Sequence, residues 1–207
     1  MSIPFSHPFS CVLSGPTGSG KTQFILRFIR HANAMIDPPV KSISYYCNDY
    51  QDAFDQFPQV HFRRGLPSTE ELENMSECLV VIDDMMNEAN QQVCNMFTRG
   101  CHHKNISLVF IVQNFFNNNK HMRTISLNAQ YIVMFKNIRD ASQFAFLARQ
   151  LFPNNARFAH ESYLNATREP FGYLLVDCHP NQIDDDLRLR TKIFPDDNRH
   201  FVYVPKK

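Results

Sequence analysis

The stretch Gly15-Pro16-Thr17-Gly18-Ser19-Gly20-Lys21-Thr22 fits the pattern G-x-x-x-x-G-K-[ST], and its flanks decide how it folds. Before it lies Phe9-Ser10-Cys11-Val12-Leu13, an apolar run of strand length. After it, Gln23-Phe24-Ile25-Leu26-Arg27-Phe28-Ile29 has the spacing of a helix. Strand, loop and helix in that order are the context a phosphate-binding loop (P-loop) needs. The glycines let the backbone curl so that its N–H groups converge on an anion, and the helix beginning near Lys21 adds the positive end of its dipole. Gly15, Pro16, Thr17, Gly18, Ser19, Gly20, Lys21 and Thr22 are therefore the candidate ATP-binding set. Lys21 is expected to neutralise charge on the β- and γ-phosphates, and the Thr22 hydroxyl to ligate Mg²⁺.

A chain of 207 residues suits one α/β domain with a core of useful size. Residues 1–207 are expected to form that single domain, with a core from about 9 to 152 and a C-terminal extension, 153–207, of no evident role. The formal net charge is +1, so any nucleic-acid contact must come from local patches. No apolar run approaches a membrane span and the N-terminus lacks a secretory pattern, which predicts a soluble intracellular protein with no membrane partner, in a host cytoplasm or nucleus or within a virion. Six cysteines scattered through a chain of this length read as reduced thiols.

Strand-like runs follow at Ser42–Cys47, Leu79–Ile82, Ser107–Val112 and Tyr131–Phe135, alternating with helical patterns at Asn87–Gly100 and Ala141–Leu151. Asn117–Ile125 is a polar, partly helical connection. Arg157–Leu164 reads as a helix, Gly172–Val176 as a strand, and the tail from Pro180 as polar and irregular. The alternation predicts a mainly parallel sheet flanked by helices. A strand between the P-loop and Asp83 in chain order, with a long strand after it, favours a RecA-like P-loop NTPase. GTPases are disfavoured because no N-K-x-D motif appears.

Hydrolysis needs a carboxylate near the metal and a group that orients water. Asp83 and Asp84 end the buried run Leu79–Ile82. Asp83 is expected to hold Mg²⁺ through water and Asp84 to polarise the attacking water; the plain alternative is two acids in a turn. Gln113 and Asn114 leave the next strand at the same edge, where ligands bind in open α/β sheets, and Gln113 is the candidate link between γ-phosphate and water. A positive group opposite Lys21 is missing from the chain's own site. Arg99, with Arg123 as runner-up, is the candidate for donation to a neighbouring subunit. Cys94, Cys101, His102 and His103 lack the spacing of a structural zinc site.

Leu13 to Thr22, Val80-Val81-Ile82-Asp83-Asp84, Thr98-Arg99-Gly100-Cys101-His102-His103-Lys104-Asn105-Ile106-Ser107 leading to Val112-Gln113-Asn114, and Arg123 to Val133 together resemble the FtsK–HerA superfamily of ATPases. The likeness is closest to viral DNA-packaging ATPases of poxviruses and polinton-like elements. Asp84 stands where many of those proteins carry Glu. The resemblance implies a homo-oligomeric ring that hydrolyses ATP to move double-stranded DNA into a capsid, with capsid proteins as further partners and Lys120, His121 and Arg123 as contributors to DNA contact. Two other readings stay open. One is a nucleoside or nucleotide kinase, which needs an Arg-rich lid; Arg188, Arg190 and Lys192 lie too close to strand alternation to make one. The other is a nucleotide-gated interaction protein.

Overall fold

The computed structural model describes residues 3–83, 91–100, 104–116, 120–140 and 142–206, with the side chains at 99 and 100 not among them. In chain order the elements are β1 (Phe5–Ser6), β2 (Ser10–Ser14), α1 (Lys21–Arg30), α2 (Ala32–Met35), β3 (Ile36–Asp37), β4 (Ser42–Cys47), a 3₁₀ turn (Asp52–Gln56), β5 (Val60–Arg64) and α3 (Thr69–Asn74). They continue with β6 (Cys78–Asp83), α4 (Gln91–Asn95) running into a π-helical turn (Met96–Gly100), β7 (Ile106–Val112), α5 (Lys120–Asn128), β8 (Tyr131–Phe135), α6 (Ser142–Leu151), α7 (Ala156–Ala166) and β9 (Tyr173–Asp177). A 3₁₀ turn (Asp185–Leu187), β10 (Leu189–Thr191) and β11 (Phe201–Val202) complete the order. The Asn87–Gly100 helix is thus described from Gln91 onward, and its last turn widens to π geometry.

Nine strands form one sheet in the order β11-β10-β9-β8-β2-β7-β6-β4-β5. From β5 to β8 all neighbours are parallel; β9, β10 and β11 are each antiparallel to the strand before. Parallel strands buried on both faces read as continuous apolar runs, and β6 and β7 are buried at every residue. Their alternate side chains divide between two cores. Leu13, Val81, Val109, Ile111 and Val133 pack with Phe24, Ile25, Phe28 and Ile29 of α1. Val12, Val80, Ile82, Leu108, Phe110 and Met134 pack with Val93, Met122, Ile125, Phe144 and Leu147 of α4, α5 and α6. The period of two along each strand therefore produces helix, sheet and helix layers.

The tail from residue 180 is not irregular: β10 and β11 extend the sheet. Asp177 at the end of β9 and Arg190 in β10 form an ion pair at 2.8 Å, both side chains under 5% exposed. Further on, Phe194 packs on Phe24 of α1 with ring centroids 5.0 Å apart, and Arg27 lies 4.3 Å over the Phe194 ring. Residues beyond 152 therefore brace the helix that follows the P-loop. Among the described residues no helix is long and apolar enough to cross a membrane.

A buried ion pair is costly to leave half-made, because the remaining charge has neither water nor partner. Asp177→Ala is expected to lower the unfolding free energy by about 3–5 kcal/mol in a denaturant titration. Lys41→Ala, which breaks the exposed pair with Glu77, is expected to cost no more than about 1 kcal/mol.

Candidate functional site

The loop 15–20 leaves β2 in the middle of the sheet, between β7 and β8. Its first backbone N–H, at Gly15, donates to Val112 O at the end of β7 (3.2 Å), and Ser19 N donates to Pro16 O (3.2 Å) to close a turn inside it. Gly18 and Gly20 have φ of 77° and 101°, a region where a side chain is strained. A β-carbon at Gly15 would lie 2.7 Å from Phe135 Cβ and 2.7 Å from Ser19 Oγ. The backbone there must pass where no side chain fits. α1 then begins at Lys21, with Phe24 N bonded to Gly20 O at 2.9 Å.

Lys21 folds back over the loop, its Nζ donating to Gly15 O (2.7 Å) and Pro16 O (3.0 Å). Thr22, in the first turn of α1, is partly exposed. Ser19 Oγ is buried with no hydrogen-bond partner among the described residues. An orphaned hydroxyl inside a curled glycine loop, an ammonium folded over that loop onto two of its carbonyls and a helix N-terminus beneath it gather donors in one place. That donor set fits the phosphates of a nucleotide.

The sheet register places the second half of the site. Ser14 pairs with Val112 and Asp83 with Ile111, so the C-terminal ends of β2, β7 and β6 lie in one row. Asp83 is two strands from the P-loop, roughly 10 Å across the sheet at ordinary strand spacing. β7 fills the gap, and Gln113 follows it as an exposed residue between loop and carboxylate. The strand standing between the two motifs in space is therefore β7. Ser42–Cys47, which separates them in sequence, lies on the far side of β6. Asp84 lies outside the described residues, as do Cys101, His102 and His103.

Two partners were not legible in the sequence. Tyr45 of β4 donates from its hydroxyl to Asp83 Oδ2 at 2.5 Å in a site where the carboxylate is 9% exposed. Burial first, then the carboxylate, push the Tyr45 hydroxyl far above its ordinary pKa, so it remains a donor. Gln143 of α6, 3% exposed, donates from Nε2 to Asn114 Oδ1 (2.7 Å) and to Asp140 Oδ2 (2.8 Å). Its hydrogen bond, followed by that of Ser142, holds the Asp140 carboxyl below the usual range. Asn114 is thus clamped while its neighbour Gln113 faces solvent.

No protein-family model matches the chain, and no curated protein sequence does. Among solved structures it is similar to the genome packaging NTPase B204 from Sulfolobus turreted icosahedral virus 2. With ATP-γ-S bound to B204, the TM-score is 0.55 at 13% identity, covering 96% of this chain and 98% of that one. With AMPPCP it is 0.58 at 14% identity over the same shares. The chain has the fold of that NTPase. The likeness covers nearly the whole of both chains rather than a small part of either.

On the other face of the sheet, α4 and α5 border a surface groove of about 530 Å³ lined by Gln91, Cys94, Asn95, Thr98, Lys120, His121 and Thr124. Lys120 and Arg123 are exposed on α5. Arg99 follows Thr98 in the π-helical turn, its side chain outside the described part.

Removing the hydroxyl that Asp83 accepts from should be visible without any ligand. Tyr45→Phe is expected to destabilise the fold by about 1.5–3 kcal/mol, the worth of a hydrogen bond to a charged group, read by urea unfolding. Parental stability would mean that the carboxylate does not depend on this donor.

Proposed function

We propose that the chain is a RecA-like ATPase of the FtsK–HerA type that moves double-stranded DNA, packaging the genome of a virus or virus-like element. The observation that carries this reading is the row formed by the P-loop, Gln113 and Asp83 at one sheet edge, with β7 between the two nucleotide motifs. A nucleotide held on residues 15–22 would present its terminal phosphate toward that row. The fold shared with a viral genome packaging NTPase supports the same reading.

In this reading the loop N–H groups and Lys21 hold the β- and γ-phosphates. Thr22 and, through water, Asp83 hold Mg²⁺, which when bound supplies positive charge against the developing negative charge of phosphoryl transfer. Tyr45 fixes the Asp83 rotamer. Asp84 takes the role of water-polarising base, and Gln113 bridges water and γ-phosphate. Arg99, or Arg123, reaches the site of an adjacent copy in a homo-oligomeric ring, and Lys120, His121 and Arg123 meet DNA phosphates, with capsid proteins as docking partners.

Two of the three lid candidates of the kinase reading are engaged elsewhere in the fold. Arg190 is a strand residue committed to Asp177, and Arg188 donates to Asp185 and to the carbonyls of Asp177, His179 and Gln182.

The deciding experiment is ATP turnover with and without double-stranded DNA. Stimulation by DNA that falls steeply with salt, and loss of turnover in a folded Lys21→Ala variant, are the expected results. Turnover indifferent to DNA, or unaffected by Lys21→Ala, would defeat the motor reading.

The two carboxylates and the arginine separate by phenotype. Asp84→Asn should bind ATP and Mg²⁺ but not hydrolyse, whereas Asp83→Asn should weaken metal-dependent binding itself. Arg99→Ala should bind normally, turn over more slowly by about three powers of ten or more, and regain activity when mixed with Lys21→Ala. Parental turnover by Arg99→Ala alone would remove it from the site.

A further inference from the structure

Phe171 is a large apolar ring, 69% exposed, held in a backbone conformation that disfavours it. Glu169-Pro170-Phe171-Gly172 forms a tight turn closed by Gly172 N donating to Glu169 O at 3.1 Å. Proline at the second position and φ of 61° at Phe171 give it the pattern of a type II turn, whose third position belongs to glycine or asparagine. A bulky residue there is strained, and exposure denies it the compensation of burial. The glycine stands one residue later and has another duty: a β-carbon at Gly172 would lie 2.5 Å from Ala166 O and 3.0 Å from Glu169 O.

The turn is also rigidly placed. Thr167 donates through its N–H (3.0 Å) and its hydroxyl (2.8 Å) to Tyr163 O, closing α7. Tyr173, the next residue after Gly172, opens β9 and pairs with Phe135 at the end of β8. Because β9 is antiparallel to β8, its first residue lies at the edge where the P-loop leaves β2. The Phe171 ring rests there against the last glycine of the loop: a β-carbon at Gly20 would be 3.1 Å from its Cδ1 and 3.2 Å from its Cβ. Phe24 of α1 packs edge-on to Tyr173 (4.8 Å) and Phe135 (5.9 Å), so one aromatic frame fixes both the loop's helix and the turn.

We propose that Phe171 is the platform on which the base of the bound nucleotide stacks, resting on the reading of residues 15–22 as the phosphate site. A nucleotide anchored there by its phosphates carries its ribose and base away from the loop. A preset aromatic face bordering Gly20 offers that base a π-surface without ordering a flexible side chain. Stacking of a base on an aromatic ring explains why a strained position keeps Phe where glycine would be relaxed.

The test compares ATP with inorganic tripolyphosphate, which has the phosphates but no base, on wild type, Phe171→Gly and Phe171→Trp. Phe171→Gly is expected to weaken ATP binding about 10- to 100-fold, the range of base–aromatic stacking, while tripolyphosphate affinity stays the same and thermal stability does not fall. Phe171→Trp places a single tryptophan in a chain that has none. Its fluorescence should be quenched by ATP and not by tripolyphosphate. Unchanged ATP affinity in Phe171→Gly, or an equal loss for both ligands, would overturn the base platform while leaving the phosphate site standing. Wild-type protein that binds neither ligand would take both readings down.

Discussion

The backbone of Gly15 approaches β8 so closely that a β-carbon would lie 2.7 Å from both Phe135 Cβ and Ser19 Oγ, and its N–H is bonded to the end of β7. Gly15 is thereby the point where three neighbouring parallel strands, β7, β2 and β8, are tied to the loop. The loop can curl only because this residue occupies so little space. Ser19 turns inward against it and stays without a partner among the described residues. α1 must then descend over the face lined by Phe135 and Tyr173, which sets the direction of its N-terminus toward the concavity. The donor set of the site is a consequence of that one contact.

What holds the rest in place is uneven in kind. The two apolar cores carry the central strands, with the Tyr45–Asp83 hydrogen bond joining β4 to β6 across their buried ends. At the margins the chain uses polar groups with defined partners. Asp177 and Arg190 staple β9 to β10, and Thr191 donates to Tyr173 O at 2.6 Å. Arg27 with Asp196 and Asp197 fastens the C-terminal segment to α1. The last is half-exposed and contributes little by charge alone. Its partner, the Phe194 ring wedged against Phe24, supplies the apolar contact that makes the brace effective.

Elements whose signal is local were legible in the sequence: long apolar runs for β6, β7 and β8, shorter serine-interrupted ones for β2 and β4, and helical spacing for α1 and α6. β10 and β11 were missed for a physical reason. Leu189-Arg190-Thr191 hides a buried arginine whose neutralising partner lies 13 residues earlier, and β11 is two exposed residues. Tyr45–Asp83 and Gln143–Asn114 join residues 38 and 29 positions apart, which no spacing rule reaches. Chain order did not reveal which strand lies between the two motifs in space, since sequence gives succession and the sheet gives neighbourhood. Phe171 carried no sequence signal, its meaning depending on a dihedral angle and on the glycine it touches.

β7 is the strand through which these parts communicate. It is in register with β2 on one side and β6 on the other, so its C-terminal end is fixed relative to both the loop and Asp83. Immediately beyond, two amides diverge in role. Asn114 is locked by Gln143 to Asp140, and Phe115 N reaches Gln143 Oε1 at 3.4 Å, which ties the β7 exit to the start of α6. Gln113, one residue earlier, faces outward on that fixed base. In the motor reading, a change at the phosphate would act on the hydrogen bonding of Gln113 and not on the position of a strand held in register on both sides. The next residues lead to α5, where Lys120 and Arg123 are exposed. The β7 exit is where, in the motor reading, the state of the nucleotide would pass from the phosphate site toward the rest of the chain.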